Sequence, residues 1–320
     1  MRTARVPPPS VVACLSALGS DAGWRGEVAR RDNSRVHRAH RGDLEIAIKE
    51  CFTPRTDLAD RALAEREFAA LRRICEGARS ASVAPPTPAP LALCAEHGAY
   101  AMTWIDGRPA TDVLLSTQSP ADAERIGYAA GAWLKGFHAL QRLPPRPPDY
   151  RGKIAFVRAL GASHASSRPV RRATRVLIET VDAACAATLP ASWIHGDMKS
   201  DNLLIHGSAM AGIDAHIVDE NVVLYDLAPF LNHLGLLRWS PRGMTRGRVL
   251  KKAGCAFLDA YSNEACAWAL PLAWLRAYLL VQAYAATHSR RGMHERLREG
   301  PLRLELASVV QSLASAAHRS

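Results

Sequence analysis

The first part of the chain alternates between apolar and polar residues, with the period of two that β-strands show. The pattern predicts three antiparallel strands at residues 26–30, 35–40 and 44–49, the first two joined by a turn at 31–34. A glycine-rich segment that could wrap a phosphate group is absent from this turn. The residues up to about 50 therefore predict a small antiparallel sheet.

A helical period replaces this alternation between residues 57 and 76. The apolar side of this predicted helix consists of Leu58, Leu63, Phe68, Leu71 and Ile74. A proline-rich link at 84–90 follows, and then two short apolar segments at 91–94 and 99–107 predict two further strands. The second segment ends at a glycine, which is typical of a connection between two parts of a fold.

Beyond residue 108 the periodicity is mostly helical. A long helix is predicted at 121–141, whereas residues 142–170 are first rich in proline and then in serine, alanine and histidine. Further helices are predicted at about 170–187, 226–237, 246–262, 267–288 and 301–316. A sheet followed by many helices predicts an α+β protein.

Composition limits the class of protein. The 320 residues are 48% hydrophobic, which is enough for a large core, and no apolar run has the length that a membrane-crossing helix needs. Residues 1–19 have the charge and short apolar stretch of a secretion signal, but three prolines interrupt them, and a Ser-capped helix from Ser10 to about Leu18 is preferred. Seven scattered cysteines favour free thiols in the cytoplasm over a zinc site.

The stretch from 193 to 214 contains the candidate chemistry. It consists of an apolar segment, a polar loop, a short apolar strand, a Gly-Ser turn and a second strand that leads to a carboxylate. Such a hairpin brings Asp197, Asn202 and Asp214 close together in space. Their oxygens suit Mg²⁺ shared with the phosphates of a nucleotide, with one group left to accept a proton from a hydroxyl.

The loop His195-Gly196-Asp197-Met198-Lys199-Ser200-Asp201-Asn202 resembles the catalytic loop of the protein-kinase-like superfamily, H-R-D-x-K-x-x-N. Glycine after the histidine is the variant of the aminoglycoside phosphotransferase and choline kinase branch. The segment from Gly212-Ile213-Asp214 to Tyr225-Asp226-Leu227-Ala228 resembles the second motif of that branch. Two motifs in the right order are far more specific than either alone.

The resemblance implies roles for these residues. Asp197 would be the catalytic base, Asn202 and Asp214 would bind Mg²⁺, and Lys199 would lie near the transferred phosphoryl group. Asp219 also follows a short apolar run and stays open as an alternative to Asp214, because the family usually has an aromatic residue where this chain has Ala215. His195 would have a structural role under the loop, and Asp226 would be a carboxylate at a helix start.

The N-terminal part carries the predicted nucleotide contacts. The strand Ile46-Ala47-Ile48-Lys49 resembles the V-A-I-K strand of kinases, whose lysine reaches the α and β phosphates. The family places a glutamate on the following helix to hold this lysine. Glu67 is the choice here, with Glu65 as the alternative.

The resemblance also predicts contacts with the nucleotide outside the phosphates. Small-molecule kinases of this branch often have Asn or Ser in the first turn, which makes Ser34 a nucleotide contact. The backbone at Thr103 and Ile105 would meet the edge of adenine, with Met102 behind it.

The resulting prediction is a two-lobed, protein-kinase-like fold. An N-terminal helix or extension would span residues 1–23, a small lobe with an antiparallel sheet and one helix, plus the hinge, 24–107, and a larger, mostly helical lobe 108–320. By resemblance, the chain would transfer the γ-phosphoryl group of ATP to a hydroxyl of a small molecule, with Mg²⁺ as cofactor.

The charge of the chain bears on the acceptor. The net charge is +11, and from residue 227 onward there are thirteen Lys or Arg against five Asp or Glu. Kinases of cationic aminoglycosides need carboxylates on this side, so a neutral or anionic acceptor such as a sugar, a metabolite or a glycan precursor is favoured. General abundance of arginine explains the charge equally well, and no motif indicates nucleic-acid binding.

Two other functions remain as alternatives. The chain could phosphorylate a protein or a lipid-linked saccharide, since Lys199 is more typical of protein kinases. It could also be a nucleotide-binding regulator with little activity, since the glycine-rich loop is missing and Ala215 is unusual.

Overall fold

A five-stranded antiparallel sheet forms the N-terminal part of the computed structural model, which describes residues 6–31, 33–53, 56–81, 84–163, 167–216, 220–262, 265–289 and 293–318. The strands run in the order β1-β2-β3-β5-β4. Their bounds are β1 Ala22–Arg31, β2 Ser34–Arg41, β3 Leu44–Cys51, β4 Pro90–Cys94 and β5 Ala99–Thr103. The three strands predicted from the alternating pattern are all present.

The central strand β3 is buried on both faces, because one helix covers each side of the sheet. Ile46 and Ile48 lie on one face, in a cluster with Val11 and Cys14 of α1, Pro9–Leu18. Ala47 and Cys51 lie on the other face, in a cluster with residues of α2, Arg61–Ser80. The N-terminal segment is therefore a helix of the folded core.

Helix α2 begins four residues later than the sequence pattern predicts. The side chain of Asp60 accepts a hydrogen bond of 2.9 Å from the backbone N–H of Leu63 and caps the first turn. Leu58, assigned to the apolar side of the helix, precedes the cap and is 70% exposed. The start of α2 is therefore determined by the Asp60 cap and not by the apolar pattern.

The remainder of the chain is mostly helical. Its helices are α3 Ala110–Ser116, α4 Pro120–Ala139, α5 Ile154–Ala162, α6 Arg168–Cys185, α7 Leu224–Arg238, α8 Gly247–Tyr261, α9 Ala269–Ser289 and α10 Met293–Ala317. Its strands are β6 Arg108–Pro109, β7 Arg142–Arg146, β8 Leu189–Trp193, β9 Leu203–His206, β10 Ala209–Gly212 and β11 Glu220–Val222. The predicted long helices are all present, and the α+β class is confirmed.

The proline-rich stretch after α4 forms the edge strand β7 of the sheet β11-β8-β7. Its register against β8 shifts between Leu143 and Arg146, where two consecutive prolines lie. Proline lacks an N–H and is tolerated at edges and bulges, so prolines did not exclude a strand here. Strand β7 and helices α3 and α5 were not predicted from sequence.

Helices α4 and α8 pack closely through two glycines. A Cβ atom on Gly127 would lie 2.1 Å from the carbonyl oxygen of Ala253, and one on Gly131 would lie 2.2 Å from that of Phe257. Only glycine permits this approach. The close packing matters because both helices carry residues that support the loop 195–202.

The chain divides into two compact units. The first consists of residues 1–107 with 211–217, and the second of residues 108–210 with 218–320. The predicted domain boundaries at 23 and 107 stay predictions. In the described part of the chain, no helix combines the length and the apolar character that crossing a membrane would need.

Candidate active site

The loop between β8 and β9 brings three of the predicted residues together. The Lys199 ammonium lies 2.6 Å from Oδ2 of Asp197. The side-chain amide of Asn202, at the end of a short 3₁₀ turn, donates to the same Oδ2 at 2.9 Å and to the carbonyl oxygen of Asp197 at 2.8 Å. Both side-chain contacts fall on Oδ2, so Oδ1 is the oxygen of Asp197 that these two neighbours leave to other partners.

Asn202 is oriented in a way that suits a metal ligand. Both partners of its side chain are acceptors, so the nitrogen must face them and the oxygen must face away. That oxygen, Oδ1, is buried and has no hydrogen-bond partner. A buried acceptor without a donor is costly unless a cation or another donor completes it. Among the described residues, no group of three or more His, Cys, Asp or Glu could hold a metal, so an ion here would also need oxygens from a ligand.

Asp226 holds the backbone of the loop. It lies fully buried in the first turn of α7 and accepts hydrogen bonds from the N–H of His195 at 2.7 Å and of Gly196 at 3.1 Å. His138 of α4 contacts the same carboxylate at 2.9 Å and, through its other nitrogen, the hydroxyl of Tyr261 in α8 at 2.7 Å. Asp226 thus lies at the start of a helix, as predicted, and its carboxylate supports the loop.

The ring of His195 is fully buried beneath the loop. It packs against Trp133 and Phe137 of α4, with ring centroids 5.8 and 5.7 Å apart. His233 of α7 contacts the hydroxyl of Ser200 at 2.9 Å. Helices α4 and α7 thus fix both ends of the loop.

In the first unit, Lys49 lies between two carboxylates. Its ammonium is 2.8 Å from Glu67 of α2 and 3.2 Å from Asp214. Glu65, the alternative to Glu67, is exposed and pairs with Arg61 at 2.8 Å. The structure therefore brings Lys49 together with Glu67 and Asp214.

The surroundings of this pair keep Lys49 charged. Burial lowers the pKa of Lys49, but the charges of Asp214 and Glu67 raise it by more, and the net direction is upward. Tyr100 of β5 donates to Glu67 at 2.8 Å, and burial followed by the charge of Glu67 raises the pKa of its phenol. His216 also lies 3.3 Å from Glu67.

Asp214 has unusual backbone geometry. With φ at 57°, it is the only non-glycine residue with positive φ in the described ranges. Such strain of a non-glycine residue persists where the surroundings require it, which is common at functional sites. Asp219, the competing metal ligand, lies outside the described residues, so the choice between them stays open.

The remaining predicted nucleotide contacts lie in the sheet or just after it. Ser34 is buried at the start of β2, where it pairs with Cys51 of β3. Met102 is buried in β5. The N–H of Thr103 donates to the carbonyl of Ala89 at 2.9 Å. Ile105 lies two residues beyond the end of β5, although the predicted segment extended to residue 107.

Several supporting residues were not predicted from sequence. They are Tyr100, His138, His216, His233 and Tyr261. Of these residues, His138 was the easiest to predict from sequence, because it directly follows the apolar face of the long helix. A histidine buried at such a position needs a hydrogen-bond partner. The partners themselves come from distant parts of the chain.

Comparison with known proteins identifies a family for the chain. The sequence profile of the phosphotransferase enzyme family matches residues 31–243, more than half of the chain. None of the curated proteins compared with the chain matches it significantly.

Solved structures share the fold at low sequence identity. A choline/ethanolamine kinase family protein from Mesorhizobium loti has a TM-score of 0.62 at 14% identity, with 93% of this chain and 92% of that chain covered. A glucosamine kinase in complex with glucosamine, ADP and inorganic phosphate has a TM-score of 0.62 at 15% identity, with 95% and 84% covered. An aminoglycoside phosphotransferase in complex with AMP-PNP and hygromycin B has a TM-score of 0.63 at 14% identity, with 93% and 96% covered. The predicted protein-kinase-like fold is confirmed.

Proposed function

This chain belongs to the phosphotransferase enzyme family, as an ATP-dependent kinase of hydroxyl acceptors, and we propose that its acceptor is a neutral or anionic small molecule. A sugar, a phosphorylated metabolite or a glycan precursor would fit, whereas a cationic aminoglycoside would not. A cytoplasmic location follows from the use of ATP.

Asp197 is proposed as the base. The acceptor hydroxyl would give its proton to Oδ1 of Asp197 while its oxygen bonds to the γ-phosphorus and the bond to the leaving ADP breaks. Lys199 and Asn202 hold Oδ2, which fixes the direction of Oδ1. Lys199 is placed to offset negative charge on the phosphoryl group as well.

Mg²⁺ is proposed to bind Asn202 and Asp214. The buried, unpartnered Oδ1 of Asn202 is the observation that supports this, and carboxylate and amide oxygens are the ligands Mg²⁺ prefers. Bound Mg²⁺ would neutralise charge on the phosphates. Lys49, held by Glu67, would orient the α and β phosphates, and Ser34, Met102, Thr103 and Ile105 would contact the rest of the nucleotide.

Binding of the nucleotide tests this assignment without any acceptor. Titration calorimetry with ATP should show affinity that depends on Mg²⁺ in the wild type. Asn202→Ala and Asp214→Ala should remove most of that dependence, whereas Asp201→Ala, beside Asn202 but exposed, should keep it. Equal Mg²⁺ dependence in all four proteins would contradict both ligands.

Lys153 is the residue that supports the proposed charge of the acceptor. This half-buried residue lies just before α5, within residues 142–170, where by the family resemblance insertions shape the acceptor pocket. Its ammonium faces the rings of Tyr225 and Tyr278, at 5.3 and 5.4 Å from their centroids. Tyr225 directly precedes Asp226, which holds the catalytic loop. A cationic acceptor would meet an existing cation here, and an anionic one would gain from it.

Acceptors of matched shape test the charge preference. Glucose, glucosamine and glucuronate share one ring and differ in charge, and a screen can be built from such triples. We expect kcat/KM to favour the neutral or anionic members, and Lys153→Met to reduce the preference for the anion while Lys153→Arg keeps it. A preference for the cationic members in the wild type would refute the proposed acceptor class.

A further inference from the structure

A cavity of about 380 Å³ lies among helices α7, α8, α9 and α10, and we refer to it as the α7–α10 cavity. Four leucines are part of its lining: Leu231, Leu234, Leu250 and Leu258. Gly254 leaves free space in the cavity. Even a Cβ atom added there would lie at ordinary van der Waals distance from Leu231 and Leu234, at 3.5 and 3.7 Å. The volume is at the small end of ligand pockets.

The lining of the α7–α10 cavity also carries positive charge. Arg238 and Arg276 share one carboxylate, that of Glu305, at 3.1 and 3.0 Å. Lys251 also lines the cavity, so the charged residues among its described lining sum to +2. The Nε–H of Arg238 is buried without a hydrogen-bond partner. Burial lowers the pKa of Arg276, and Glu305 only partly offsets this. Among the described lining residues, the three cations are thus balanced by one carboxylate, that of Glu305.

The cavity lies on the side of α7 away from the catalytic loop. Leu231, Leu234 and Arg238, at helical spacing, face the cavity, whereas His233 contacts Ser200 of the loop. At about 100° per residue, His233 points roughly 150° away from the centre of the cavity-facing side. Asp226, five residues earlier than Leu231, lies on the same side as His233. The α7–α10 cavity is therefore separate from the proposed reaction site.

We propose that the α7–α10 cavity binds a small amphiphilic anion, a carboxylate or phosphate monoester on a short hydrocarbon body. The anionic group would pair with Arg238, Arg276 and Lys251, and the hydrocarbon would lie against the four leucines. This site goes beyond phosphoryl transfer and does not depend on the proposed acceptor. Because α7 carries both the cavity and the residues that hold the catalytic loop, a ligand here would be an effector.

Cys255 provides a local reporter, because it is exposed and lines the cavity. The probes are octanoate and octyl phosphate, with octylammonium and octanol as controls. At ten times its dissociation constant, a probe leaves about one site in eleven empty, so alkylation of Cys255 should slow about tenfold. Alkylation of Cys75, a half-buried thiol of the other unit, should not change. Comparing the carboxylate with the phosphate shows which head group is preferred.

Variants of α8 test the charge and the space. Lys251→Met should weaken binding of the anionic probes about two- to fivefold, as for an exposed ion pair. Lys252→Met, whose lysine pairs with Glu124 at 3.2 Å outside the cavity, should not. Gly254→Leu should fill the cavity and abolish the thermal stabilisation by the probes.

Two results would overturn the proposal. The first is that neither anionic probe protects Cys255, or that octanol protects it as well as octanoate does. The second is that Lys251→Met and Lys252→Met bind the probes equally well, which decides the question even if Gly254→Leu fails to fold. None of these measurements involves ATP, so they are independent of the test of the proposed function.

Discussion

Replacing Asp226 with asparagine should both destabilise the second unit and slow catalysis. The two carboxylate oxygens of Asp226 accept hydrogen bonds from the N–H groups of His195 and Gly196 and contact His138. Asparagine has the same shape but offers only one acceptor oxygen. Whichever way the amide is turned, its NH₂ group faces a backbone N–H, and one buried donor loses its acceptor.

The size of the effect follows from these contacts. A buried donor without an acceptor costs about 1–3 kcal/mol, and each remaining bond that changes from ionic to neutral loses about 1 kcal/mol. The free energy of unfolding should therefore fall by about 3–5 kcal/mol. The loop that carries Asp197 would shift, and a displacement of about 1 Å can reduce kcat about a hundredfold.

The assay combines urea unfolding, followed by tryptophan fluorescence, with steady-state kinetics. Affinity for ATP measured without Mg²⁺ should stay near the wild-type value, because Lys49 and Glu67 belong to the other unit. The control is Asp201→Asn, since Asp201 lies in the same loop but is 41% exposed and 3.5 Å from its partner His233. If Asp226→Asn loses less than about 1 kcal/mol and keeps its kcat, the anchoring by Asp226 is refuted.

Two further substitutions test other parts of the account. Glu67→Gln should weaken ATP binding about tenfold, equivalent to about 1.4 kcal/mol, because Lys49 would keep only Asp214 as its counter-charge; fluorescence titration measures this. Gly127→Ala should lower stability by about 1–3 kcal/mol, because its Cβ would overlap the carbonyl oxygen of Ala253; urea unfolding measures this.

Matched controls exist for both changes. Glu65→Gln removes an exposed carboxylate from the same helix, so ATP binding should not change. Gly254→Ala places a methyl group where there is room, and it should leave stability equal or raise it, because alanine favours helix more than glycine does. If Glu67→Gln and Glu65→Gln change ATP binding equally, the contact of Glu67 with Lys49 does not support ATP binding. If Gly127→Ala and Gly254→Ala change stability equally, the close approach of the helices at Gly127 does not require glycine.

Local sequence predicted the elements that periodicity and motifs define. The strand ending at Lys49, the helix carrying Glu67 and the loop from His195 to Asn202 were all placed correctly as elements. Periodicity could not settle where α2 begins, because the capping by Asp60 determined its start and left Leu58 in solvent. The N-terminal segment is a helix, as predicted, but Ser10 does not cap it: the helix begins at Pro9, and the hydroxyl of Ser10 donates to Glu50.

The supporting contacts could not be predicted in this way. His138, Asp226 and Tyr261 lie far apart in sequence, and only the close packing of α4 against α8 brings two of them together. In the sequence, Tyr100 does not differ from an ordinary strand residue. Its hydrogen bond to Glu67 depends on the fold, which brings the two side chains together. Such partners depend on tertiary structure, whereas a motif records only the residues near it in the chain.

The most direct measurement follows the γ-phosphorus of ATP by ³¹P NMR, in the presence of Mg²⁺ and hydroxyl compounds of each charge class. The wild type should convert it to a phosphate monoester of a neutral or anionic compound. Asp197→Asn should form none while still binding ATP. Formation of the monoester at the wild-type rate by Asp197→Asn, or release of inorganic phosphate alone by the wild type with every compound, would contradict the account.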